Sequence, residues 1–311
     1  MRTFYPSTTH RTQPRVLTGP LRGLRSLSGV LQLLHPPMMV LLAMISVQFG
    51  AATAKSLFAP FGAPGVVFVR TGFAALILWL MARPQVRQYS RHQWSSAIIL
   101  GIVIAIMNLL FYESLVRLPL GVAVTIEFLG PLAVALLGSR KLRDLVWIVL
   151  AFGGVLLLAP IGDLSGLDPL GILFACGAAT GWAAYILLTS RTSKLFTGTT
   201  GLALAMSAAA LVMLPLGVIS AGPALLSIPL LLKGVVVAML STTIPFSLEF
   251  LALKRIPPRT FGILMAAEPA IAVLAGLLLL SEHPPLRALV ALVLVSAATI
   301  GVTRSGVGLS E

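Results

Sequence analysis

Two glutamates lie inside otherwise apolar stretches, and they are the first residues of this chain that could do chemistry. Glu127 occurs within Gly121–Leu136, and Glu268 follows the basic elbow Lys254–Arg259. A carboxylate at the centre of a bilayer costs roughly 2.5–3.5 kcal/mol on insertion scales, and a polar path through the protein is the usual reason to keep one. We predict that both glutamates bind a substrate or carry protons. The alternative is that each one only pairs with a basic neighbour.

A proline accompanies each of these glutamates. Pro131 follows Glu127 by one helical turn, and Pro269 comes directly after Glu268. A proline removes one backbone donor and clashes with the carbonyl four residues earlier. We therefore expect kinks near the membrane centre, beside the polar groups, although the prolines could equally serve packing alone.

Two cations, Lys55 and Arg70, also fall within apolar segments. Both are expected in the outer third of their helices. Each could receive a substrate carboxylate, balance a glutamate, or extend its charged end toward the interface.

Two further glutamates have basic neighbours. Glu249 precedes Lys254 by five residues, so an interfacial ion pair or cap competes with a direct substrate role. Glu113 and Arg117 are spaced i,i+4, which predicts a structural ion pair on one helix face.

The remaining candidates are neutral. Asn108 and Tyr185 could line a cavity, but an interhelical hydrogen bond is the preferred interpretation. Trp182 could form a cavity wall or simply pack.

The elements that must position these residues are transmembrane helices. The chain is 58% hydrophobic and only 10% charged, with a mean hydropathy of +1.00, whereas a soluble domain has about 25% charged residues. A spanning helix needs about 20 mainly apolar residues, and continuous rather than alternating runs disfavour a β-barrel. Ten segments qualify, at approximately 38–56, 62–81, 95–115, 118–138, 145–160, 169–189, 199–220, 229–251, 260–280 and 284–303.

The positive charges predict the orientation of these helices. With the N-terminus inside, most of the 22 Lys and Arg residues fall on the inner side, whereas Arg117, Lys233 and Arg287 fall outside. Both termini are therefore expected in the cytoplasm. The net charge of +13 follows from this topology, so no nucleic-acid partner is inferred.

The chain also repeats itself. A shift of 138 residues places Arg117 on Arg255 and Pro131 on Pro269. We predict a basic disordered cytoplasmic tail over 1–37 and two five-helix repeats over 38–160 and 169–303. Because five is odd, the second repeat enters the membrane inverted, which is a transporter architecture.

The sequence lacks signatures of other functions. No histidine is paired with cysteine at metal-ligand spacing, and there is no Gly-Lys-Ser/Thr phosphate loop. We expect no enzyme activity, no metal and no cofactor, with transport driven by a gradient. A non-transporting scaffold or a lipid-handling enzyme is the alternative of a different class.

Three motifs identify a resemblance. They are Gly121–Leu136, Ile244–Leu253 continuing to Glu268-Pro269, and Ala54-Lys55-Ser-Leu-Phe with Gly62–Gly65. They resemble the bacterial threonine/homoserine exporter family of the drug/metabolite transporter superfamily, which has tandem EamA-type domains. The likeness covers about 38–303, and Glu113 departs from it.

The resemblance implies a multi-pass protein of the bacterial inner membrane that exports small amino acids, with alternating access and proton antiport. By position, Lys55, Arg70, Glu127, Glu249 and Glu268 match the family pattern. A zwitterionic substrate would place its carboxylate on Lys55 or Arg70 and its ammonium group on Glu127 or Glu268. An exporter of another metabolite or a drug is the alternative within transport.

Overall fold

The computed structural model describes residues 34–118, 120–138, 142–158 and 167–265, followed by residues 267, 268 and 271 and eight positions between 286 and 298. The predicted N-terminal tail falls almost entirely outside the described residues. So do Pro269 and most of the predicted ninth and tenth helices.

The described residues form helices and their connections, without a β-strand among them. Short 3-10 turns lie at Lys55–Leu57, Val86–Gln88 and Gly222–Leu226, and a π-turn lies at Met239–Thr243. The α-helices are α1 (Pro36–Ala54), α2 (Phe58–Ala82), α3 (Arg91–Arg117), α4 (Leu120–Glu127), α5 (Leu129–Gly138), α6 (Leu142–Leu158), α7 (Pro169–Leu195), α8 (Thr200–Ala221), α9 (Ile228–Ala238), α10 (Ile244–Leu253) and α11 (Pro258–Met265).

Five helical segments in the described part are long and apolar enough to cross a membrane. They are Phe58–Ala82, Arg91–Arg117, Pro169–Leu195, Thr200–Leu226 and Ile228–Leu253. Shorter apolar helices cover Pro36–Gly50, Val122–Leu137 and Leu145–Gly154. These eight correspond to the first eight predicted spans, and the count of ten stays a prediction.

The solvent around these helices must be apolar. Their outer faces carry large exposed hydrophobic side chains, among them Leu137 at 86%, Ile219 at 81% and Leu80 at 72% exposure. Such surfaces are stable in lipid but not in water.

The packing of the helices has a two-fold pattern. The largest contacts join α2 to α8, α3 to α7, α3 to α8, α1 to α10 and α5 to α11, and α2 also packs against α9. In the predicted repeats, α1 and α7 are the first spans of their repeats, and α3 and α10 belong to the third spans. Exchanging the repeats therefore turns the α3–α7 contact into the α10–α1 contact. The same exchange maps the α2–α8 and α5–α11 contacts onto themselves. This is the packing that two copies of one unit produce around a shared axis.

Local sequence determines where several helices start and how closely they approach. Ser90 and Gln93 form a reciprocal capping box at the start of α3, and Asp168 caps α7 through the Leu170 N–H at 2.9 Å. Gly62 has a φ of 66°, a conformation that favours glycine, and bends α2 near its start.

Hydrogen bonds bring three positively charged segments, which are the start of α3, the end of α7 and the connection after α10, to the same end of the bundle. Gln93 donates to the Leu195 carbonyl at 2.8 Å, and Lys254 donates to the Phe196 carbonyl at 2.9 Å. At the opposite end, Arg117 lies 3.8 Å from Asp168. The arrangement agrees with the charge asymmetry expected from the sequence.

Candidate functional site

The centre of the first repeat contains a buried arginine. Arg70 lies at the midpoint of α2 and is only 7% exposed. Its burial means that the guanidinium does not extend to the interface.

Two side chains of α3 bind this guanidinium. Arg70 Nη1 donates to the Tyr112 hydroxyl at 2.6 Å, and Nη2 donates to Asn108 Oδ1. The Asn108 amide is held in turn, because its Nδ2 donates to the Ile104 carbonyl at 2.7 Å. The guanidinium carbon also lies 5.5 Å from the centre of the Tyr112 ring. Asn108 and Tyr112 lie one turn apart, so α3 presents both to α2.

Both partners of Arg70 are neutral. Among the described residues no carboxylate forms an ion pair with it, and its Nε has no hydrogen-bond partner. A buried charge with neutral partners is costly unless something completes it. Arginine is also the side chain best suited to bind a carboxylate in a bidentate manner. We refer to Arg70, Asn108 and Tyr112 as the arginine cluster.

The second repeat contains a buried carboxylate. Glu249 on α10 is 6% exposed and accepts a hydrogen bond from the Tyr185 hydroxyl of α7, with 2.8 Å between the oxygens. The Tyr185 ring lies 5.3 Å from that of Phe246, one turn before Glu249. Lys254, the sequence-predicted alternative partner, instead donates to the Phe196 carbonyl. Tyr185 therefore satisfies one of the two carboxylate oxygens of Glu249.

Glu127 and Glu268 lie at breaks in two helices. Helix α4 ends at Glu127, and α5 begins at Leu129 after the single turn residue Phe128. The break falls at the carbonyl with which Pro131 would clash. Helix α11 ends at Met265, three residues before Glu268. Both glutamate side chains are half-buried.

The four charged groups interact electrostatically as a chain. The charges of Glu268 and Arg70 act on Glu127, and the charge of Glu249 acts on Glu268. The structure thus relates three carboxylates to one arginine, with residues from both repeats. Such a set can bind a positive and a negative group at the same time.

An aromatic pair borders this region. The Trp182 ring lies at the midpoint of α7 and meets Phe128, the turn residue after Glu127, edge-on at 5.0 Å between ring centres. Trp182 is half-buried. It therefore packs against the helix break and leaves part of its surface accessible.

Other predicted residues stand as follows. Lys55 begins the 3-10 turn between α1 and α2, and its side chain lies outside the described part. The Glu113–Arg117 ion pair is confirmed at 2.7 Å, near one end of the bundle. Within the described residues, no group of three or more His, Cys, Asp or Glu side chains could hold a metal ion.

Sequence reasoning missed Tyr112 and a run of buried hydroxyl residues at 241–247. Tyr112 could have been found from its position one turn after Asn108. The hydroxyls had no comparable signal, because serine and threonine are common in transmembrane helices.

The sequence matches the family model described as the EamA-like transporter family twice, over residues 36–160 and 169–304. Similar proteins include the threonine/homoserine exporter RhtA of Escherichia coli strain K12, 43% identical over 269 residues that cover 86% of this chain and 91% of that protein. The exporter of the same name from Salmonella typhimurium strain SL1344 is 42% identical over the same coverage.

One crystal structure supports the fold. It superimposes with a TM-score of 0.70 at 20% sequence identity, covering 89% of this chain and 99% of the other. The described relatives are named as exporters rather than as enzymes.

Proposed function

Because this chain belongs to the EamA-like transporter family, we propose that it exports small amino acids such as threonine and homoserine across a bacterial cytoplasmic membrane. The proposal is supported by relatives of that printed name, which it matches over nearly their whole length. It is also supported by the charged groups inside the bundle.

The observation that carries the proposal is the incomplete coordination of Arg70. Its guanidinium is buried, binds two neutral side chains, and keeps Nε without a partner in the described part of the chain. A substrate carboxylate would complete this coordination and neutralise the charge. Lys55 stays a second candidate for the same carboxylate.

The ammonium group of the substrate would bind the carboxylates. Glu127 and Glu268 are half-buried at helix breaks, and Glu249 is buried on α10. An amino acid bound between Arg70 and these glutamates places each of its charges opposite one of the opposite sign. A metabolite without a carboxylate would leave the arginine unpaired, which disfavours it as a substrate.

The carboxylates would also couple export to protons. A glutamate that binds either a proton or the substrate's ammonium group, but not both, exchanges one for the other. Release of the amino acid outside would then be followed by proton entry. Alternating access would come from the two inverted repeats moving against each other around this site.

This mechanism assumes ten helices, in repeats at 38–160 and 169–303, with both termini in the cytoplasm. The positively charged segments at the start of α3, the end of α7 and after α10 lie at one end of the bundle. They support that orientation, since positively charged loops remain on the cytoplasmic side.

Transport by the purified protein tests the proposal. Proteoliposomes loaded with radiolabelled threonine should release it faster than protein-free liposomes, and an acidic exterior should accelerate release until an ionophore collapses the pH gradient. Homoserine should behave alike. Release no faster than from protein-free liposomes for both amino acids, alongside transport of a drug or another metabolite, would overturn the assignment.

A further inference from the structure

The π-turn Met239–Thr243 lies at the midpoint of the continuous helical stretch 228–253. Here the Ile244 N–H donates to the Met239 carbonyl, which is the π-helical register. The next bond in this register would come from Pro245, which has no N–H. Ser46 of α1 supplies the missing donor, because its Oγ donates to the Leu240 carbonyl at 2.7 Å. Single π-turns inside α-helices occur frequently at functional sites.

The π-turn and the first turns of α10 contain buried hydroxyls without partners. Four hydroxyl oxygens in seven residues are buried and have no hydrogen-bond partner in the described part of the chain, and we call them the hydroxyl cluster: Ser241, Thr242, Thr243 and Ser247. A buried hydroxyl in a helix usually bonds to a carbonyl one turn earlier, as Thr71 does to Val67 at 2.7 Å. Buried polar groups without partners are rare and call for an explanation.

The fold itself does not require these hydroxyls. The 138-residue shift that relates the two repeats places Val103, Ile104, Ala105 and Leu109 of α3 at the positions of the hydroxyl cluster. That stretch of α3 is a regular α-helix and entirely apolar at these positions. The same place in the architecture is therefore stable without any hydroxyl.

The hydroxyl cluster adjoins the charged groups. Thr242 and Thr243 lie one turn before Phe246, whose ring contacts Tyr185, the residue that binds Glu249. The π-turn also packs against α2, the helix that carries Arg70. The cluster is thus in contact with the helix of the arginine and continuous with the helix of the carboxylate.

We propose that the hydroxyl cluster is a subsite for the side-chain hydroxyl of the exported amino acid, an inference that rests on the function proposed above. A hydroxyl both donates and accepts, so serine and threonine side chains complement it. The cluster contains no charged residue, which suits a neutral group better than an ion. A site built to bind a hydroxyl discriminates strongly against an analogue that lacks it.

Valine tests this directly, because it has the shape of threonine with a methyl group in place of the hydroxyl. The experiment measures kcat/KM for threonine and for valine in proteoliposomes containing wild type, Thr242→Val or Thr243→Val. Wild type should prefer threonine, and each variant should lose roughly tenfold of that preference while still transporting valine. Thr242→Ser keeps the hydroxyl and should retain the preference.

Thr71→Val is the matched control, since the Thr71 hydroxyl is already bonded within its own helix. It should leave the threonine-to-valine ratio unchanged. An unchanged ratio in Thr242→Val, Thr243→Val and Ser247→Ala, with threonine export intact, would overturn the subsite alone. If wild type transported neither threonine nor homoserine, the proposed function would fail and the subsite with it. Size-exclusion profiles identify any variant that misfolds. In that case the threonine-to-valine ratio of Ser241→Ala, which is a smaller change, decides whether the subsite exists.

Discussion

The guanidinium of Arg70 donates to the hydroxyl of Tyr112 at 2.6 Å, so a buried cation in the middle of a membrane helix has a neutral partner. The contrast is Arg117, near one end of the bundle, which pairs with Glu113 at 2.7 Å. The chain thus provides a carboxylate for the arginine near the end and not, among the described residues, for the one in the centre. A substrate carboxylate is the simplest explanation for this difference.

The first prediction concerns the guanidinium group of Arg70. Arg70→Lys keeps the charge but loses the planar, two-pronged geometry, and Arg70→Gln loses both. Loss of a charge-assisted hydrogen bond should lower kcat/KM for threonine roughly tenfold to a hundredfold in Arg70→Gln, with a smaller loss in Arg70→Lys. Transport assays in proteoliposomes measure both. Arg117→Gln, which removes the ion pair with Glu113, is the control and should transport almost normally.

The second prediction concerns proton coupling. Glu127→Gln and Glu268→Gln retain side-chain size but cannot ionise, so each should abolish the acceleration of threonine efflux by an acidic exterior. Glu113→Gln, in the structural ion pair, should keep that acceleration. If pH-driven efflux were unchanged in both Glu127→Gln and Glu268→Gln, these residues would have no part in the mechanism.

The third prediction concerns the Tyr185–Glu249 pair. Tyr185→Phe removes the donor and leaves a buried carboxylate unsatisfied, which should cost about 1–3 kcal/mol of stability. Thermal unfolding in detergent should show a lower midpoint for this variant. Tyr89→Phe removes a hydroxyl from an exposed contact with the Gln85 N–H and should change little. Equal midpoints for the two variants would show that the buried bond contributes nothing.

The fourth prediction concerns close helix packing. A Cβ added to Gly130 would lie 2.2 Å from the Ala179 carbonyl oxygen, so α5 and α7 would have to separate. Gly130→Ala should therefore destabilise the protein by about 1–3 kcal/mol. Gly72 on α2 has no atom within 4 Å of the same position, so Gly72→Ala should be neutral or stabilising by up to about 1 kcal/mol. Thermal unfolding of both variants decides the point, and a Gly130→Ala protein as stable as wild type would contradict it.

The fifth prediction concerns orientation. In a Cys176→Ala background, single cysteines at Gln88 and Thr197 should resist a membrane-impermeant thiol reagent added to intact cells. A cysteine at Ala224, at the other end of the bundle, should react. The reverse pattern would place the termini outside.

The sequence predicted the class and much of the architecture because these depend on composition and on periodic apolar runs. The cost of burying polar groups in lipid permits few alternatives to helices once such runs exist. Pro131 also indicated where the helix break would lie, because a missing N–H and a ring clash act on the local backbone. The Glu113–Arg117 pair was predictable for the same reason, since both residues lie on one helix.

Other features depend on contacts between helices that are distant in sequence. The sequence left open whether Arg70 reaches the interface, and only the packing of α2 against α3 showed that it is buried on Asn108 and Tyr112. Likewise Glu249 had Lys254 as its nearest candidate partner, yet it binds Tyr185, 64 positions away in sequence. Spacing along one helix determines which residues share a face, but the partner that each face meets is decided by tertiary packing alone.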